Sequence, residues 1–249
     1  MLLNIEKQNA MDDAARIDPL KKESYQVAID MMKDLKTKHQ FYKNNLTADV
    51  YDHKAWGAFI TYLVLNFGAL RPGEIASLWI SPNGEGMDGK NYIDVKKKMI
   101  IIPNHKTAKK FGVKKIKINA AALKFIKAGV KLAEQQDDKM YPLFPTKNGG
   151  MYSGSSGIAA AIMALIGHKM YDVRKAVVSI TLHDAKINGF DAKSMNKIKK
   201  LEQIHSHSAQ SMATFYQKYA LDNDGKLMDT QDANEVEAEM AQALVEAED

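Results

Sequence analysis

The chain contains no cysteine. That excludes a disulfide framework, a thiolate metal site and a cysteine nucleophile. It also lacks a long apolar run. The longest, Trp56 to Leu70, is interrupted by Gly57, Thr61, Asn66 and Gly68, and a membrane span needs about 18 apolar residues. The first residues turn polar within the opening hexapeptide Met1-Leu2-Leu3-Asn4-Ile5-Glu6, which is not the pattern of a secretory signal. No phosphate-binding Walker loop, dinucleotide fingerprint or nucleophile elbow is present. No internal repeat is found. His205 and His207 stand two apart, but no third ligand lies near them in sequence, so a metal site is not expected. These absences leave a soluble, intracellular protein, in cytoplasm or nucleus, that needs no cofactor, metal or membrane.

What is present is charge, unevenly placed. The 249 residues have a net charge of +5. Residues 221–249 carry ten acidic side chains and one basic one (net −9), which leaves the first 220 residues with 34 basic and 20 acidic groups (net +14). A body of that sign matches nucleic acid. Apolar residues make up 45% of the chain, enough to build a core around which such a surface can be displayed.

The hydrophobic pattern predicts a mainly α protein with a small antiparallel β-sheet or hairpin. Residues 1–20 form a polar arm. Helices are expected over 21–44 and 53–67, the second capped by Asp52 and apolar on nearly every side. A short helical pattern after Arg71-Pro72 runs to about Trp79, and 81–91 is a loop. Strands over 98–103 and 113–118 flank a lysine-rich turn. A helix over about 120–136 and a loop over 142–157 follow. Further helices are expected over 158–166, 171–186, 191–204 and 208–220. The tail has Val236, Met240 and Leu244 on one stripe, suiting a small docking helix or an acidic shield. The resulting divisions are 1–45 (arm and helix, a remnant or linker), 46–220 (the main domain) and 221–249 (the acidic tail).

Four fragments carry possible chemistry. Pro72 pushes Arg71 towards an extended backbone ahead of a helix start. There a guanidinium can grip a phosphate with two hydrogen bonds, and Glu74 can orient it. Residues 96–117 contain nine lysines, a basic hairpin able to reach DNA, with Lys106 at the start of its turn. Tyr171-Asp172-Val173-Arg174-Lys175 places Arg174 early in a helix with an apolar face. Finally, His207 precedes Tyr216 by nine residues, and Ser208 can cap the helix between them, so both can face one site.

In this order the fragments resemble the tyrosine recombinase family, the phage integrases and related site-specific recombinases. Leu65 to Leu78 is similar to the family's first arginine box, with Arg71 and Glu74 at its arginine and acidic positions. Lys106, before Thr107, matches the hairpin lysine. Arg174 matches the arginine of the family's His-x-x-Arg box, where Tyr171 replaces the histidine; its hydroxyl keeps a hydrogen bond but brings no cation. His207 and Tyr216 match the histidine and the nucleophile. Leu143-Phe144-Pro145 and Gly149-Gly150 are similar to the segment before the second arginine box. The resemblance spans about 45–220, without a full core-binding domain before it.

The resemblance implies the catalytic-domain fold of DNA breaking-rejoining enzymes. It also implies metal-independent strand transfer through a 3′-phosphotyrosine, in integration or another recombination reaction of a mobile element or virus. Arg71, Lys106, Arg174, His207 and Tyr216 are the expected catalytic residues, with Glu74 and Tyr171 in support. Lys109, Lys110, Lys114, Lys115 and Lys175 are expected to contact DNA. Double-stranded DNA and a tetramer of this chain on paired sites are the expected partners. Relaxation by a type IB topoisomerase-like reaction, a catalytically inactive DNA-binding module of the same fold, and a basic nucleoid protein remain as alternatives; covalent attachment to DNA separates them.

Overall fold

A computed structural model describes residues 22–205 of the chain. The arm before them, the helix expected over 208–220, the tail, His207 and Tyr216 lie outside the described residues.

Helix α1 (Lys22–Asn44) and helix α2 (His53–Phe67) begin the fold. Asp52 starts α2 as expected, its carboxylate accepting from the Lys54 and Ala55 N–H groups, which fills part of the unpaired first turn. Helix α2 is buried on most sides. Phe59, Ile60 and Leu63 are almost wholly out of water, and each such side chain contributes about 1.5–3 kcal/mol by leaving it. Helix α1 belongs to the same core, to which it brings Leu35 and Tyr42.

Helix α3 (Pro72–Ala76) is short and leads straight into strand β1 (Leu78–Ser81). The helical pattern expected to reach Trp79 therefore stops early. Leu78 and Ile80 point into the core while Trp79 is partly exposed, a two-residue period that suits a strand. The Ser77 hydroxyl turns back to the Gly73 and Glu74 carbonyls (3.0 Å each), closing the helix end.

Strands β2 (Asn91–Asp94), β3 (Met99–Ile102), β4 (Lys114–Lys117) and β5 (Tyr141–Pro142) complete a five-stranded sheet in the order β4-β3-β2-β1-β5. The expected hairpin is the β3–β4 pair, with Ile100 opposite Ile116. Its turn holds one unexpected feature, the single-turn helix α4 (Ala108–Phe111). The sheet is mixed rather than antiparallel, because β1 and β2 run parallel in the register Leu78 to Asn91. The connection between them, 82–90, is shorter than a usual crossover. It doubles back at Gly84, whose φ of +79° is glycine territory and where a Cβ would fall 2.6 Å from an Asp94 carboxylate oxygen.

The helix expected over 120–136 divides at Ile126 into α5 (Ala120–Phe125) and α6 (Lys127–Glu134). Helix α7 (Ser155–Ile166), helix α8 (Met170–Ile187) and helix α9 (Ala192–His205) follow. Helix α8 lies against α1. His168, just before α8, shares a 2.8 Å hydrogen bond with Asp34 of α1, and the Tyr42 hydroxyl donates to the Leu165 carbonyl (2.7 Å). These bonds fix the start of the helix that carries Arg174. Among the described residues no helix is long and apolar enough to cross a membrane.

Candidate active site

Arg71 occupies the junction between α2 and α3. Its backbone is extended (φ −69°, ψ 143°), as a following proline demands. Its N–H donates to Glu74 Oε2 (3.1 Å) and its Nη1 to Glu74 Oε1 (3.2 Å). The pairing expected from sequence is therefore present. The anion-binding potential lies in the guanidinium rather than in the helix start, since α3 is only five residues long and Glu74 already takes the Arg71 N–H.

Glu74 is buried and holds a second cation. Lys114 Nζ donates to Glu74 Oε1 at 2.7 Å and to the Ile204 carbonyl at 2.9 Å. Lys114 was expected among the DNA-facing lysines, and the structure corrects this: its side chain is 2% exposed. The reason is strand parity. Lys114 shares the inward face of β4 with Ile116, while Lys115 and Lys117 point outward.

Arg174 enters from α8 and is also buried. Its Nη1 donates to the Ala69 carbonyl (2.6 Å) and its Nη2 to the His205 carbonyl (3.2 Å). The Ile204 and His205 carbonyls of α9 thus each receive a cation. His205 itself is buried against Gly68, where φ is +71° and a Cβ would lie 2.6 Å from His205 Nε2. Glycine is required there for α9 to approach the arginine junction.

Three cations share one carboxylate: Arg71 and Lys114 bond Glu74 directly, and Arg174 lies near enough to feel its charge. Burial and the neighbouring Arg71 guanidinium push the Arg174 pKa down to about 10, with Glu74 partly offsetting them; it stays charged at neutral pH. Burial alone would raise Glu74, but Lys114 and Arg71 outweigh it and hold the carboxyl below its usual value. Burial lowers the Lys114 pKa, Arg71 and Arg174 add to the fall, and Glu74 restores only part of it. A cluster carrying a net +2 in so little water stabilises an anion placed beside it, and the partly exposed Arg71 is the way in.

Lys106 lies on the hairpin turn and is exposed, as are Lys109, Lys110 and Lys115. Tyr171 is 58% exposed, one helical turn before the buried Arg174, and Lys175 Nζ sits 4.4 Å from the centre of its ring. So Arg71, Glu74 and Arg174 come together as expected. Lys106 and Tyr171 stand on the surface, and His207 and Tyr216 fall beyond the described residues. Sequence reasoning missed the internal place of Lys114, for which the alternation through Ile116 and Ile118 was the available signal. It also missed His205 as a buried group, and Asn91, which no local pattern marks. A cavity of about 430 Å³ opens beside the cluster between β4 and α9, lined among others by Phe67, Val113, Lys114, Lys200 and Ile204. Among the described residues no group of three or more histidine or acidic side chains could hold a metal ion.

Compared with protein-family models, curated proteins and solved structures, the chain matches none of them.

Proposed function

We propose that the chain is a DNA strand transferase of the tyrosine recombinase type, acting on double-stranded DNA as a tetramer on paired sites. The observation that carries this reading is the buried cluster of Arg71, Lys114 and Arg174 around the single carboxylate of Glu74. Its excess of positive charge suits a phosphate, and it is held against the Ile204 and His205 carbonyls of α9. His207 follows two residues after the carbonyl that Arg174 holds, and Tyr216 nine residues later.

In this reading Tyr216 Oη attacks a backbone phosphorus. The O–P bond to tyrosine forms, the bond from phosphorus to the 5′-oxygen breaks, and the product is a 3′-phosphotyrosine and a 5′-hydroxyl. Arg71 and Arg174 neutralise the non-bridging oxygens as charge builds in the pentacoordinate state. Lys106 supplies the proton that the 5′-oxygen takes as it leaves. His207 hydrogen-bonds the phosphate and accepts the phenolic proton, which a free tyrosine of pKa about 10 retains at neutral pH. The phosphotyrosine conserves the bond for rejoining, so a second 5′-hydroxyl reverses the step.

The Lys106 assignment is testable by leaving-group chemistry. Lys106→Ala is expected to slow cleavage of ordinary DNA by about 10²–10⁴-fold, the range for a lost general acid. It should cleave DNA bearing sulfur at the 5′-bridging position at near wild-type rate, because a thiolate leaves without a proton. Equal slowing on both substrates, measured in single turnover, contradicts the role.

One observation favours a second reading, a DNA-binding module of the same fold without catalysis. Tyr171 stands in the histidine position of the second arginine box and is exposed beside Lys175. Such a module keeps DNA affinity and forms no covalent link.

A further inference from the structure

The turn that carries Lys106 is held by one buried amide. Strand β3 pairs with β2 only as far as Ile101 opposite Tyr92, and Pro103, with no N–H, stops the ladder from continuing. Asn91, the first residue of β2, is 3% exposed. Its side chain supplies the two bonds that a next backbone pair would have made. Oδ1 accepts from the Asn104 N–H (2.9 Å), and Nδ2 donates to the Asn104 carbonyl (2.8 Å). The same Nδ2 donates to Ser77 Oγ (2.7 Å), and Ser77 closes the end of α3. Asn104 in turn donates from its own amide to the Gly89 carbonyl. The far leg of the turn is held by Lys114 on Glu74. Both legs of the segment 105–113 are therefore fixed to α3, the helix that follows Arg71, or to Ser77 at its end.

We propose that Asn91 is the positioning residue for Lys106, setting the height of the hairpin turn above the arginine cluster through the backbone of Asn104. This rests on the function proposed above. Asn91 meets the turn and Ser77 through neutral groups, and among the described residues its side-chain hydrogen bonds go to Asn104 and Ser77 rather than to Arg71, Glu74 or Arg174. Its loss should therefore displace the proton donor and leave the phosphate cluster in place. A displacement of about 1 Å in a reacting group costs on the order of 10²-fold in rate.

The test uses the full chain and a synthetic duplex of its cleavage site, made with oxygen or with sulfur at the 5′-bridging position. Asn91→Ala should cleave the oxygen substrate about 100-fold more slowly, cleave the sulfur substrate within about 3-fold of wild type, and bind the duplex as tightly as wild type. Asn91→Asp, of the same shape but unable to donate to Asn104, should show the same split and serves where the alanine variant does not fold. Equal slowing on both substrates, or no slowing on either, overturns the proposal. So does failure of both variants to fold, which makes Asn91 a folding residue. Lys106→Ala, run beside them, separates the two levels: if sulfur rescues Lys106→Ala but not Asn91→Ala, the positioning role fails alone, and if sulfur rescues neither, the acid role of Lys106 fails with it.

Discussion

Arg174→Ala is expected to slow DNA strand cleavage by about 10²–10³-fold, the range for removing one preorganised donor from an oxyanion site. Arg174 sits where an electrostatic contribution is greatest. It is buried, its pKa is pressed down to about 10 by burial and by Arg71, and among the described residues no carboxylate accepts a hydrogen bond from it. Its guanidinium instead holds two carbonyls from different elements, Ala69 and His205. Arg174→Lys keeps the charge but not the planar fork, so it is expected to stay strongly impaired. The alanine variant strands two carbonyls, costing about 1–3 kcal/mol for each that stays unpaired, while relieving repulsion from Arg71 and Lys114. Single-turnover cleavage read beside thermal unfolding separates the catalytic loss from the structural one. A folded Arg174→Ala protein that cleaves normally is incompatible with the proposed site.

Glu74→Ala is expected to be the most damaging change to the fold. It leaves Arg71, Lys114 and Arg174 facing each other with no counter-charge. Breaking a buried pair from one side costs about 3–5 kcal/mol, a fall of roughly 6–20 °C in Tm for a domain of this size. Inorganic phosphate should return part of the loss, since an anion that binds the folded cluster stabilises it by mass action. Chloride at equal ionic strength should not. Glu74→Gln adds a pH test. The folded carboxyl titrates below its ordinary value of 4.5, so its stabilisation is present above about pH 4.5 and is lost as pH falls through the folded pKa. The stability gap between wild type and Glu74→Gln, measured by urea unfolding, should narrow as pH drops below that point. A gap that is constant with pH, or a variant as stable as wild type at pH 7, contradicts the ion-pair account.

The parts of the site that were legible in the sequence are those fixed by local rules. Pro72 sets the backbone of Arg71, three-residue spacing brings Glu74 back to it, and the apolar face around Val173 and Ala176 buries the helix of Arg174. The hairpin was legible because Ile100, Ile101 and Ile102 mark a strand and Lys106 to Gly112 a turn. What was not legible depends on pairing between distant segments. The first half of β1, Leu78 and Trp79, reads as the end of a helix because four residues, Leu78 to Ser81, are too few to show a period. Its partner β2 is as short and reached by an unusually tight parallel connection, and β5 is shorter still and lies far along the chain. Lys114 was placed on the surface by its composition, one lysine among nine. The alternation through Ile116 and Ile118 turns it inward, and only the packing of β4 beside α3 brings it to Glu74. Asn91 was missed for the same reason, since its role exists only once Pro103 ends the ladder beside it.

At the centre of the proposed reaction is a phosphate held by the arginine cluster and attacked by Tyr216. The most direct measurement incubates the protein with DNA of its own source, denatures the mixture in detergent, and recovers DNA that remains attached to protein, with Tyr216→Phe in parallel. Adducts joined through a 3′-phosphate are expected from the wild type, and none from Tyr216→Phe, which should bind the same DNA undiminished. Tight binding with no adduct from the wild type would contradict the proposed reaction in favour of the non-catalytic module, and adducts that persist in Tyr216→Phe would contradict the assignment of the nucleophile.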